Sequence, residues 1–202
     1  MYMTWWCYSL TGFSPYTLIP IVLVIVAIVS WGLFHVTIRP LLGRDSTSFI
    51  LMTFGLSYLI QNAMLIIFGA NSLVVASDIK NASIVLGDYI ISWPKAIAFV
   101  VALAAVIALS VMLNKTTMGR AMRATAESAE IAEMLGINSR RSFAMAFVLG
   151  VSLAGLAGVL LTPLYFVTTT TGATLKTTGL MIVVLGGLGD IRGAFIGALM
   201  VG

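Results

Sequence analysis

Charge is what this sequence has least of. Of its 202 residues only 9% are Asp, Glu, Lys or Arg, 60% are hydrophobic, and mean hydropathy is +1.08. Soluble domains carry about 25% charged residues, so an ordinary water-soluble globule is excluded. Cysteine is nearly absent as well. Cys7 stands alone, so it has no internal disulfide partner and fits no metal-ligand spacing, and neither a metal nor a cofactor is expected. Met1 to Leu10 has no basic residue ahead of an apolar run, so it does not read as a cleaved signal peptide. A Gly-x-x-x-x-Gly-Lys-[Ser/Thr] loop is missing too, so the chain has no P-loop with which to cradle ATP phosphates.

What is present is a series of apolar runs. A hydrocarbon core about 30 Å thick needs roughly 20 helical residues. Five stretches qualify: 17–38, 47–69, 95–113, 142–162 and 178–202. The expected fold is therefore all-α, a polytopic membrane permease domain over 1–202 with about five spans. Asp45 or Ser46 is placed to cap the second span, and Ser92 with Pro94 to start the third.

The net charge is +4. Lys and Arg in short loops stay cytoplasmic. Arg39, Arg44, Lys115, Arg120, Arg123, Arg140 and Arg141 fall on one side, and Lys80, Lys95 and Lys176 on the other. That bias puts 39–46 and 114–141 inside. Trp5, Trp6, Tyr8, Tyr16, Tyr89 and Trp93 then sit near the outer interface, where amphipathic rings are favoured. The cations are topology signals interleaved with acids, not a nucleic-acid stripe.

The first four spans hold no Asp, Glu, Lys or Arg between their ends. Ion-coupled carriers usually place such groups at membrane depth, so this weakens a secondary-carrier reading. His35 reads as an interfacial histidine rather than a proton relay. Thr53, Ser57 and Gln61 recur every four residues with Asn62 alongside, which makes one helical face polar. That face serves either interhelical hydrogen bonding or a pathway for a polar solute, and Gln61 and Asn62 are the strongest pathway candidates. Ala146, Gly150, Ala154 and Gly158, and then Gly189, Gly193 and Gly197, follow the small-residue spacing of close helix packing. Asp190 and Arg192 sit among glycines in the last run, where a break or re-entrant turn is less costly than a plain lipid-facing helix. In the outer loop 70–94, two short β-like runs flank Gly87-Asp88, which suggests a small hairpin.

The stretch Met118 to Asn138 is too polar to span. On one helical wheel Arg120, Arg123, Glu127, Glu130 and Glu133 fall within an arc of about 140°. Alanine, Ile131 and Leu135 take most of the remainder, and Gly136 is a natural stop. An amphipathic inner helix follows. Its alanine-rich apolar face and mixed polar face suit protein contact better than lipid.

Gly119-Arg120-Ala121-Met122-Arg123-Ala124, then Ala129 and Met134-Leu135-Gly136-Ile137-Asn138, closely resemble the cytoplasmic loop of branched-chain amino acid ABC transporter permeases. The resemblance continues through Gly155-Leu156-Ala157-Gly158-Val159-Leu160 and Val184-Leu185-Gly186-Gly187-Leu188-Gly189, and upstream through Arg39-Pro40-Leu41 and Gln61-Asn62. It implies a multi-pass protein of the bacterial inner membrane that is not itself an enzyme. It also implies the partners: a second permease subunit, cytoplasmic ATP-binding subunits, and a periplasmic or external substrate-binding protein, all within membrane lipid. The inner loop 115–138 would dock an ATP-binding subunit through Arg120, Arg123, Glu127, Glu130 and Gly136. Relatives of this kind carry further spans on either side, so the chain is expected to be the middle and later part of such a permease. Asp190 and Arg192 depart from the family pattern. The substrate stays open between branched-chain amino acids and urea or short amides. A secondary carrier, a channel or a structural anchor subunit are the other readings.

Overall fold

The computed structural model describes residues 1–41, 46–69, 71–75, 83–86, 89–187, 189 and 191–202. Arg44, Asp45, Lys80, Gly87, Asp88 and Asp190 lie outside them.

A short helix α1, Tyr2–Thr11, ends at Gly12 in the left-handed region (φ 69°). The first span follows as α2, Ile19–Leu33, with Pro20 in its first turn, where its missing N–H costs nothing. It continues through a π-helical turn at Phe34–Ile38 and a 3₁₀ turn at Arg39–Leu41. Helix α3, Ser46–Phe68, is next. Strands β1, Ser83–Leu86, and β2, Tyr89–Ser92, pair antiparallel with Ser83 opposite Ser92 and Leu86 opposite Tyr89. Then come α4, Trp93–Lys115, α5, Thr117–Glu127, α6, Ala129–Met134, and α7, Ser139–Leu161. Helices α8, Thr171–Gly186, and α9, Ile191–Val201, close the described chain.

Among the described residues, four helices are long and apolar enough to cross a membrane: Ile19–Leu41, Thr47–Phe68, Trp93–Lys115 and Ser139–Leu161. At 1.5 Å per residue each reaches about 33 Å, enough for the hydrocarbon core. The protein is a multi-pass, nearly all-helical membrane protein.

Its core is the antiparallel pair α2 and α7. Val22 packs on Val159 beside Leu18, and Phe34 and Ile38 pack on Ala144. Midway, a Cβ on Gly155 would lie 3.0 Å from Val26 Cγ1. Lipid tails are as apolar as these side chains, so close van der Waals contact, not release of water, holds the pair. Around it, the spanning windows of α3 and α4 are entirely unburied within this chain.

Three expectations change. The spacing Ala146, Gly150, Ala154 does not mark the α2 contact, because all three residues are exposed and a Cβ on Gly150 would meet nothing within 4 Å. The contact face is rotated by one residue, about 100°, onto Gly155 and Val159. The run 178–202 is broken, as its glycines beside Asp190 and Arg192 suggested, and what changes is the role of Gly189. The chain reverses at Gly187 and Gly189 (φ 89° and 93°), which makes Gly189 a turn residue. Gly186 and Gly193 then meet backbone to backbone, and a Cβ on Gly197 would come within 2.9 Å of the Ile182 carbonyl. Only glycine leaves room for that approach. Third, the inner amphipathic segment is two helices. Ser128 adopts an extended conformation (φ −156°, ψ 112°) that ends α5, and its hydroxyl caps α6 by accepting from Ile131 N at 3.3 Å. The 140° arc of charges assumed an unbroken wheel and does not carry across this joint.

Candidate functional site

A cavity of about 840 Å³ opens between α1, α3, α7 and α8. The polar face of α3 reaches it only in part. Ser57 and Gln61 line it. Thr53 and Asn62 do not, and each makes a bond within its own helix, Thr53 Oγ1 donating to Ile50 O and Asn62 Nδ2 to Tyr58 O, both at 2.8 Å. From α7 come Ala154 and Gly158, so that part of the small-residue stripe widens a cavity instead of seating α2. Gly158 also admits α1, since a Cβ there would lie 3.0 Å from Met1 N. Thr168 and Thr169 add hydroxyls ahead of α8, and Leu161, Leu175 and Ile182 add apolar wall.

Helix α8 also contributes a cation to this cavity. Lys176 lines the cavity, and its ammonium stands 5.7 Å from the centroid of the Phe54 ring on α3. Phe54 is fourteen residues before Phe68, so the cation stands beside α3 about 21 Å along the helix from its Phe68 end. A charge at such depth is costly without partners and commonly marks a solute path. The negative face of an aromatic ring offsets part of that cost. A signal was available in the sequence. Gly172, Ala173 and Gly179 stand at i−4, i−3 and i+3 from Lys176, clearing one helical face around it, and all four line the cavity.

Tyr2 lines the same cavity from α1, its ring 4.8 Å from that of Phe68. Its phenolic oxygen is buried with no hydrogen-bond partner among the described residues. Burial raises its pKa above the ordinary value.

At the opposite end, one side chain joins α4 to α5. The Thr116 hydroxyl donates to Met112 O at 2.6 Å and accepts from Gly119 N at 3.0 Å, closing one helix and opening the next. Gly119 lies against the backbone of Met112 and Leu113, where any side chain would overlap. Arg123 Nη1 donates to Asn114 Oδ1 at 2.7 Å, so this guanidinium braces the corner. The buried face of α5 is Gly119, Met122 and Thr125. Arg120, Arg123, Glu127, Glu130 and Glu133 are all exposed.

Helix α6 adds an apolar feature next to these acids. Ile131, Met134 and Leu135 are 60%, 78% and 74% exposed. The sequence places Ile131 and Leu135 on an apolar face suited to protein contact, and on α6 the residue that turns in is Ala132. Gly136, at φ 82°, closes the helix, with Ile137 N bonding Ala132 O and Gly136 N bonding Glu133 O, both at 2.9 Å.

A family model described as "Branched-chain amino acid transport system / permease component" matches residues 1–202. The high-affinity branched-chain amino acid transport system permease protein LivH of Escherichia coli K12 is 32% identical over 186 residues, covering 89% of this chain and 60% of the relative. The corresponding protein BraD of Pseudomonas aeruginosa is 29% identical with the same coverage. A probable branched-chain amino acid transport permease of Methanocaldococcus jannaschii is 31% identical over 202 residues, 96% of this chain and 63% of that protein. The chain thus spans a little over half the length of these curated relatives. No solved structure matches it significantly.

Proposed function

The chain belongs to the branched-chain amino acid transport system permease family, and from that premise we propose that it forms the membrane pathway of an ABC importer for branched-chain or similar amino acids. The observation that carries this reading is the chemistry of the cavity between α3, α7 and α8. A zwitterion with an aliphatic side chain asks for a cation, uncharged donors and acceptors, and apolar wall. Lys176, then Ser57 and Gln61, then Leu161, Leu175 and Ile182 supply these. Thr53 and Asn62 leave the pathway set, since neither lines the cavity.

Energy enters from a separate subunit on this proposal, since the sequence has no P-loop. The contact is the inner surface of α5 and α6, where Glu127, Glu130 and Glu133 rim the exposed Ile131, Met134 and Leu135. An apolar centre with a charged rim is the anatomy of a specific interface. Arg120 lies on the same exposed surface, while Arg123 and Gly136 hold its shape. A second permease subunit and an external substrate-binding protein complete the assembly, located in a bacterial inner membrane.

The test is labelled-leucine uptake into vesicles carrying the assembled transporter, with and without ATP inside. Uptake that requires both ATP and the external binding protein supports the proposal. Uptake that survives ATP depletion and collapses with an ionophore would replace it with a secondary carrier.

A further inference from the structure

We infer that a second cavity, at the inner ends of α2 and α7, is a binding site for an anionic phospholipid of the surrounding bilayer. It measures about 670 Å³ and is separate from the cavity assigned to the solute. Three arginines line it from two spans: Arg39 from the end of the first, and Arg140 and Arg141 from the first turn of α7. None of its described lining residues is a carboxylate. Guanidinium groups bind phosphate oxygens through paired N–H bonds, and basic pockets between membrane helices on the cytoplasmic side hold anionic headgroups.

The wall beyond the arginines decides between ligands that share this chemistry. Along α7 the lining runs from Arg140 through Val148 to Leu149, nine residues and about 13 Å towards the membrane interior, with Trp31 and Phe34 opposite. An acyl chain attached to the headgroup fits that change from cationic to apolar. A free anion has no use for the apolar length. A docked cytoplasmic subunit would contact the arginines and stop short of Leu149.

Two neighbouring polar groups are already committed and leave the arginines to the ligand. Asn138 Oδ1 accepts from Arg141 N at 3.0 Å as the cap of α7. His35 Nδ1 lies 3.0 Å from Trp31 O. A bound lipid would therefore bridge the ends of α2 and α7, the two helices that form the core.

Trp31 provides the readout. The full transporter, purified with its ATP-binding partners and delipidated, is titrated with phosphatidylcholine vesicles. These contain either dibrominated phosphatidylglycerol or dibrominated phosphatidylcholine. The Trp31 signal is the difference between the natural chain and Trp31→Phe. The expected result is half-quenching at about a tenfold lower mole fraction of the anionic lipid, lost in the triple variant Arg39→Gln/Arg140→Gln/Arg141→Gln. Should the triple variant fail to accumulate, Arg140→Gln alone is expected to shrink the preference by about twofold or more. Equal quenching by both lipids, or a preference unchanged in the variants, overturns the inference. So does loss of the preference on adding millimolar inorganic phosphate at matched ionic strength, which identifies a free-anion site. Variants that keep the lipid preference but lose the ATP-binding subunit overturn it in favour of a docking surface.

Discussion

The ammonium of Lys176 stands 5.7 Å from the centroid of the Phe54 ring, joining α8 to α3 across the larger cavity. If this cation receives the carboxylate of the solute, its charge matters more than its packing. Lys176→Met is expected to lower leucine uptake by about tenfold or more, equivalent to about 1.4 kcal/mol. Lys176→Arg should retain most of it. Phe54→Leu removes an attraction of about 0.5–1 kcal/mol and should cost about two- to fivefold. Uptake is normalised to permease level by immunoblot. Full uptake by Lys176→Met would remove the lysine from the pathway.

Glycines that look alike in sequence should respond differently. Gly155→Leu drives a side chain into Val26, and Gly193→Ala drives one into the Gly186 backbone. Overpacking costs about 1–3 kcal/mol, so both should reduce monodisperse protein after detergent extraction. Gly150→Ala meets open space and should extract normally. A reversed order, with Gly150 the sensitive position, would contradict the helix pairing described here.

The corner between α4 and α5 is capped by the Thr116 hydroxyl. Thr116→Val keeps the volume and removes the cap, which is worth about 1 kcal/mol. Amide hydrogen exchange over residues 117–120 should accelerate while the spans stay protected. Unchanged exchange would mean that close contact at Gly119 and the Arg123–Asn114 bond hold the corner without the cap.

The inner surface should separate folding from coupling. Met134→Asp and Leu135→Asp alter exposed side chains, so insertion and yield should be nearly unchanged. Association with the ATP-binding subunit should fall by about tenfold or more, as expected when an interface anchor is lost. Glu127→Arg should act likewise, because reversing a charge against a complementary partner costs several kcal/mol. Gly136→Val differs in cause: at φ 82° a branched side chain is strained, and the α6 end itself should shift. Co-purification is the measurement, and retained association in all four variants would free this surface from docking.

Sidedness is directly measurable. In a Cys7→Ser background, Met134→Cys should react with impermeant maleimide only from the cytoplasm, and Leu10→Cys only from outside. Labelling of Leu10→Cys from the cytoplasm would invert the assigned orientation.

The membrane-crossing helices were readable because each is a long apolar run, and composition over some 20 residues outweighs local detail. The break before Gly193 was readable for a related reason, since glycines beside Asp190 and Arg192 make poor lipid-facing helix. Ser128 was not readable as a joint. It lies within an Ala- and Glu-rich run of good helix formers, and its capping hydroxyl competes with the continuous helix only once Ala132 has somewhere to pack. Four-residue spacing in α7 identified a smooth face but not its neighbour. The true contact one residue away uses Gly155 against a valine whose position depends on the whole of α2. Lys176 was assigned by sequence position, whereas its depth depends on how far α8 descends beside α3.

The π-helical turn at Phe34–Ile38 acts as a vernier on the first span. Val22, Val26, Ser30, Phe34 and Ile38, each four residues after the last, all belong to the buried or partly buried side of that span. In a regular α-helix each four-residue step advances about 40° around the axis, so the row would have spiralled roughly 160° away from its start by Ile38. The wider turn, in which Arg39 N bonds Phe34 O, winds back part of that drift. It is what lets one row of side chains follow α7 from Val159 down to Ala144. A single-residue deletion between Leu33 and Arg39 would therefore act as a rotation, swinging Arg39 away from Arg140 while leaving the span long enough to cross.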